Sequence, residues 1–216
     1  GVRCTKPIRA SDDICFLTIE EQKKFLEVAK RSHNYLQYAL LLETGLRTGE
    51  MIGLTWDAIN WEKRTLTVDK TLEYRYQNGC WRAGPPKTKQ SYRTIPLTDR
   101  AYEILEQIYA SRTTRKQSPK LTQVLFFIDR RSGKQRSLVM SDLVFINFRT
   151  GEPAKNSSYD THLYKLCDEA HIKRFCMHVL RHTFATREWY AAEGSTKTAW
   201  TCKHKNNNGS VRTCDR

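Results

Sequence analysis

The sequence predicts an α+β domain, mainly helical, with a small three-stranded antiparallel sheet set among its helices. Three observations carry that prediction. Apolar residues recur at helical spacing toward both ends of the chain, as in Phe25, Leu26, Val28 and Ala29 and again in Leu163, Leu166 and Ala170. Between them, Thr65-Leu66-Thr67-Val68 alternates with the period of two that a half-buried strand requires. The chain has 216 residues, 39% of them hydrophobic and 11% aromatic, enough for one core or a main domain with a small appendage.

The first residues are basic and carry Pro7, so 1–16 read as a linker or the cut end of a longer protein, with the folded domain over 17–190. Thr18 starts a helix, because a capping hydroxyl with Glu21 three residues on can satisfy two orphan amides reciprocally. Tyr35 to Leu42 forms a second helix that stops at Gly45, glycine being the residue that closes a helix in the left-handed conformation. Thr48 caps a short third helix carrying Met51, Ile52 and Leu54. The period then changes. Thr65 to Val68, a continuation at Tyr74 to Tyr76 before a turn near Asn78-Gly79, and Arg93 to Leu97 supply three strands. Pro85-Pro86 interrupts the chain, and Lys87-Thr88-Lys89-Gln90 forms a basic loop at the rim of the sheet.

Thr98-Asp99 opens a helix through Ile104, Leu105 and Ile108, and Ser111 to Lys120 is a basic, polar loop. Val124 to Ile128 is a short apolar run, followed by a basic turn from Arg131 to Arg136. Ser157 or Ser158 caps the next helix, and Met177 to Trp189 is helix-compatible, with His178, Arg181 and His182 at i, i+3 and i+4 on one side. After Trp200 the chain is rich in Lys, Asn, Thr and Gly with almost nothing to bury, so 191–216 read as an aberrant, disordered tail.

Thirty-seven Lys and Arg against 23 Asp and Glu leave a net charge of +14, which favours a polyanionic partner. Nucleic acid is the commonest such partner, and an anionic membrane surface is its competitor. No run of about 18 apolar residues occurs and the N-terminus lacks a signal-peptide profile, so the expectation is a soluble, cytoplasmic, DNA-associated protein with no membrane partner. The seven cysteines, Cys4, Cys15, Cys80, Cys167, Cys176, Cys202 and Cys214, form no CxxC pair and no zinc-ligand spacing. They read as reduced thiols, with no metal site.

Chemistry concentrates in two segments far apart, Thr44-Gly45-Leu46-Arg47-Thr48-Gly49-Glu50 and His178-Val179-Leu180-Arg181-His182-Thr183. Phosphodiester transesterification builds negative charge on two non-bridging oxygens, and guanidinium groups suit that load because they stay charged and bond in pairs. Arg47 and Arg181 can take it, with Glu50 orienting Arg47. A lysine on a mobile hairpin, Lys87 or Lys89, can deliver a proton to a departing 5′ oxygen, and His178 can act as acid-base partner or donor to the phosphate. Singly, each of these residues is ordinary surface; the ordered set is what carries weight.

That ordered set resembles the tyrosine recombinases, the phage-integrase family. Thr44 to Trp56, Lys87 to Leu97 and His178 to Thr186 each look like the corresponding family motif, and the resemblance runs from about Leu17 to Thr186. It implies the recombinase catalytic fold, with Arg47, Lys87 (Lys89 as the other candidate), His178 and Arg181 in the active site and His182 as a weaker candidate. It implies no metal and no ATP, because a phosphotyrosyl bond conserves the energy of the broken phosphodiester. It implies double-stranded DNA as partner, assembly as oligomers on that DNA, and a phage or other mobile element as source. A lone chain is expected to be a monomer.

The resemblance breaks after Thr186. The family continues with Leu-Gly-His and then a nucleophilic tyrosine further on, and neither motif is present. Tyr190 is the only tyrosine after Arg181, nine positions on and too near to match. A change of reading frame accounts for the break. Read one nucleotide later, the codons permitted from Trp200 onward force glycine and then allow His-Ala-Ser-Ile-Lys-Thr-Thr-Met-Asp-Arg-Tyr. The expectation is therefore an incomplete or inactive catalytic domain. The alternative is a non-catalytic DNA-binding module on the same fold. An RNA-binding domain lacks the aromatic signature it would need, and the compact spacing argues against a type IB topoisomerase.

Overall fold

The computed structural model describes residues 16–112, 119–193, 204–205 and 211–212. The first helix, α1 (Ile19–Ala29), begins as its sequence requires: the Thr18 hydroxyl accepts from the Glu21 amide at 3.2 Å and the Glu21 carboxylate accepts from the Thr18 amide at 2.8 Å. Helix α2 (Tyr35–Thr44) is almost wholly buried and ends at Gly45, left-handed at φ 59°. Then comes the short α3 (Thr48–Ile52), whose cap is Arg47 and not Thr48; the Glu50 carboxylate accepts from the Arg47 amide at 2.9 Å. Later helices are α4 (Asp99–Arg112), α5 (Asn156–Glu169) and α6 (Met177–Glu193). Helix α4 runs two residues into the stretch expected as loop, and residues 113–118 of that stretch lie outside the described residues. Lys155 caps α5, with Ser157 and Ser158 already in its first turn.

The three-stranded antiparallel sheet exists, but its membership differs from the expectation. It joins β1 (Ile59–Asn60), β2 (Thr65–Val68) and β5 (Arg93–Pro96) in the order β1-β2-β5. Arg93 to Leu97, expected as the third strand, is β5, but Tyr74 to Tyr76, expected to continue the sheet, falls at the end of β3 (Thr71–Arg75) and in the turn after it, and β3 pairs with β4 (Cys80–Gly84) in a separate hairpin, Tyr74 opposite Trp81. Here the glycine at the turn matters: Gly79 sits at φ 62°. The apolar run is β6 (Val124–Ile128), paired with β7 (Gln135–Val139), so the basic turn ends two residues before Arg136. In the tail, only a two-residue antiparallel pair, His204–Lys205 with Val211–Arg212, is described; most of 1–16 and of 191–216 lies outside the described residues.

One core joins these elements. Phe25 of α1 meets Tyr38 of α2 and Phe175 edge-on at 5.7 and 5.2 Å, and all three rings are buried. Helix α2 packs between α6, α4 and α1, which fixes α6 beside the Gly45 turn. Gly53 is a second position where only glycine fits, since a Cβ there would lie 2.7 Å from the Leu72 amide nitrogen of β3. Asp160 of α5 accepts from the Met177 amide at 2.9 Å, a carboxylate at the positive end of α6. Burial of these apolar side chains, each contributing roughly 1.5–3 kcal/mol, holds the arginine-bearing turn and helix together.

Candidate functional site

The site grows from the end of α2. A helix leaves its last carbonyls without intrahelical partners, and these carry partial negative charge. Helix α6 supplies cations to them. The Arg187 guanidinium donates to the Leu42 carbonyl at 2.8 Å, and the Arg181 guanidinium donates through Nη1 to the Gly45 carbonyl. Residues 136 positions apart are thereby clasped, with Arg181 bonded to the backbone two residues before Arg47. The turn admits no side chain at Gly45: a Cβ would fall 2.7 Å from Cε1 of Phe184, and the backbone is left-handed.

Arg47 itself is held from two sides. Its Nη1 donates to Glu50 Oε1 at 2.8 Å and to the Ser91 hydroxyl at 3.4 Å. Glu50, buried, also takes a two-pronged donation from Arg93 of β5, at 2.8 and 3.2 Å. Burial pushes the Glu50 carboxyl up, but the hydrogen bonds from Arg93 and Arg47 with the Arg93 charge outweigh it and hold it below its ordinary value. Arg181 moves down as well, from burial first and then from the positive charges of Arg47 and Arg93, opposed by Glu50. Three guanidiniums and one carboxylate therefore share a small volume, a surplus of positive charge suited to an incoming anion.

The other sequence-derived residues gather around this cluster unequally. Lys87 and Lys89 are exposed and flank Thr88, whose hydroxyl meets that of Ser91 at 2.9 Å; Ser91 in turn receives Arg47. The basic segment is thus tied to the Arg47 turn. On α6, His178 and His182 stand one turn apart, their rings edge-on at 4.5 Å. Tyr190 lies in the same helix, two and a half turns beyond Arg181. Arg93 and Ser91 escaped the sequence reading. The available signal was the strand alternation, which puts Arg93 on the inward side with Ile95.

A concavity of about 470 Å³ lined by His33, Asn34, Trp56, Arg112 and Tyr159 includes none of these site residues. Within the site Glu50 is buried and Arg47 half-buried, while Lys87, Lys89 and His178 are exposed. Among the described residues, no cluster of three or more His, Cys, Asp or Glu is placed to hold a metal ion, and no helix is long and apolar enough to cross a membrane.

Residues 15–194 match the Phage integrase family. The chain belongs to that family. It is similar to the transposase from transposon Tn916 of Enterococcus faecalis, 31% identical over 193 residues, covering 85% of this chain and 42% of the transposase. A XerC-like tyrosine recombinase of Caldanaerobacter subterraneus is 27% identical over 78% of this chain and 41% of its own length. The chain therefore spans less than half the length of these curated relatives. Among solved structures, the Tn1549 transposon integrase in complex with transposon right end DNA superposes with a TM-score of 0.64 at 23% identity, over 84% of this chain and 54% of that one. XerA recombinase follows the same fold with a TM-score of 0.56 at 20% identity, over 88% of this chain and 54% of its own.

Proposed function

We propose that this integrase-family chain grips the phosphodiester backbone of duplex DNA through Arg47 and Arg181, as the catalytic portion of a site-specific DNA recombinase, and that as written it lacks the nucleophile to cut. The single observation that carries this reading is the clasp between Arg181 and Gly45, which brings two guanidiniums to one surface beside the Lys87–Lys89 segment. In the proposed reaction a tyrosine hydroxyl attacks phosphorus as its proton passes to His178, a 3′ phosphotyrosyl bond forms, the bond from phosphorus to the 5′ oxygen breaks, and that oxygen leaves with a proton from Lys87 or Lys89. Arg47 and Arg181 neutralise the charge that develops on the non-bridging oxygens, and His178 assists as donor or acid-base partner. No metal and no nucleotide enter this scheme. It places the protein in the cytoplasm of a bacterium on DNA, encoded by a phage or other mobile element.

Tyr190 is a poor nucleophile for this scheme, being fixed in the helix that also carries Arg181. A shifted reading frame beyond Arg187 permits Gly-His and a downstream tyrosine, and the nucleotide sequence of the gene tests that directly. The biochemical test is a nicked suicide duplex incubated with the purified chain and resolved under denaturing conditions. Binding without a covalent adduct is expected. An adduct linked through tyrosine overturns the loss of activity, and an absence of salt-sensitive duplex binding overturns the DNA reading itself.

A further inference from the structure

The turn joining β6 to β7 is built onto the catalytic surface through one side chain, Tyr92. Tyr92 stands between Ser91, which receives Arg47, and Arg93, which holds Glu50. Its buried hydroxyl donates to Asp129 Oδ1 and accepts from the Arg130 amide at 3.0 Å. The Arg131 guanidinium lies over the Tyr92 ring, 4.4 Å from its centroid, and donates to the Tyr92 carbonyl at 3.2 Å. Asp129 closes the turn itself: its second oxygen accepts from the Ser132 amide at 3.0 Å and the Ser132 hydroxyl at 2.6 Å. The turn is therefore rigid and in fixed register with the arginine cluster.

Its charges divide into committed and uncommitted ones. Arg136 is paired with Asp69 at 2.7 Å, and Arg131 is stacked on Tyr92. Arg130 and Lys134 are exposed, and neither side chain is engaged by an acid among the described residues. A pair of exposed cations on a turn tied through Tyr92 to the segment that holds Arg47 suits further backbone phosphates, because a preorganised donor loses little entropy on binding.

We propose that Arg130 and Lys134 each contact a further backbone phosphate on the same duplex, held in register with the Arg47–Arg181 pocket by the Tyr92 strut. This rests on the DNA-binding reading above. The test is the salt dependence of binding to a fluorescently labelled mixed-sequence DNA duplex, measured by anisotropy. Each lost phosphate contact lowers the slope of log K against log salt by about 0.9, so Arg130→Ala/Lys134→Ala is expected to lower it by about 2. The affinity deficit of that variant should then shrink about tenfold between about 50 and about 200 mM salt. The charge-conserving pair Arg130→Lys/Lys134→Arg should keep the wild-type slope, which separates lost charge from a disturbed turn. Lys23→Ala/Lys24→Ala, in a groove with Glu27 and Glu169, serves as the control for overall charge and should change the slope little. An unchanged slope in the alanine pair, or an equal change in the control pair, overturns these contacts while leaving duplex binding by the wild-type chain intact. Wild-type protein that fails to bind the duplex overturns the DNA reading instead.

Discussion

Arg47 and Arg93 share one carboxylate, that of Glu50, whose side chain is 1% exposed while theirs are 40% and 26% exposed. The two arginines are not equivalent in what they contribute. Replacing Arg47 takes one side-chain bond from Glu50 and leaves the Arg47 amide still donating to it, whereas replacing Arg93 takes two bonds from Glu50 and a third from the Ser91 carbonyl. Arg93→Ala is therefore expected to cost about 2–4 kcal/mol of stability, because a buried charge loses its main partner. Arg47→Ala should cost about 1 kcal/mol, because it removes one short bond to Glu50 and a long one of 3.4 Å to the Ser91 hydroxyl from a half-exposed side chain. Urea denaturation of the two variants checks this, and equal midpoints would contradict it.

Gly45→Ala should act on the fold and the site together. The new Cβ meets the Phe184 ring and the backbone must hold a left-handed φ of 59°. Overpacking of this kind costs typically 1–3 kcal/mol, and the left-handed conformation roughly 1–2 more for a residue with a Cβ. Because Phe184 and Arg181 share α6, duplex affinity should fall with stability. A variant that loses stability while keeping wild-type binding would separate the turn from the pocket.

Acid should weaken the fold in two windows. Burial, then the charges of His33 and Lys165, lower the His162 imidazole from its ordinary value of 6.5. The unfolded chain then binds more protons, so stability present above about pH 6.5 declines as pH falls through the lower folded value. His162→Gln should flatten the change in melting temperature between pH 7 and mildly acid buffer. An unchanged profile would remove His162 from the account.

The second window belongs to Glu50, whose folded value lies below the ordinary 4.5. Its contribution is complete above that pH and is lost as pH falls through the folded value, when the shared carboxylate takes a proton and both arginines lose their anion. Glu50→Gln should abolish the loss in this window and lower stability at neutral pH. Thermal melts between pH 6 and pH 3 test the pair; an acid limb that survives in Glu50→Gln would assign it elsewhere.

The helices were legible because their ends carry local chemistry. Thr18 with Glu21, and Gly45 after an apolar run, declare a start and a stop without reference to the rest of the chain. The strands were legible only where alternation was complete, as in Thr65 to Val68. Strand β7 reads Gln-Arg-Ser-Leu-Val, with Leu138 its one deeply buried residue, and β4 has only Trp81 and Ala83 facing inward. Pairing partners decide such strands, and pairing is not local. The same limit hid Arg93: a charged residue in a strand reads as a solvent face until Glu50, 43 positions earlier, is seen beside it. Arg47, Arg181 and the basic segment were found from the motif resemblance, and their meeting is a tertiary fact.

The clasp of Arg181 on Gly45 also has a temporal meaning. During synthesis Arg47 emerges long before Arg181, so the nascent chain carries a basic turn without the second arginine that later closes on it. The cluster closes only when α6 docks on α2. Until that docking, the chain holds every residue of the cluster in its sequence but no cluster in space.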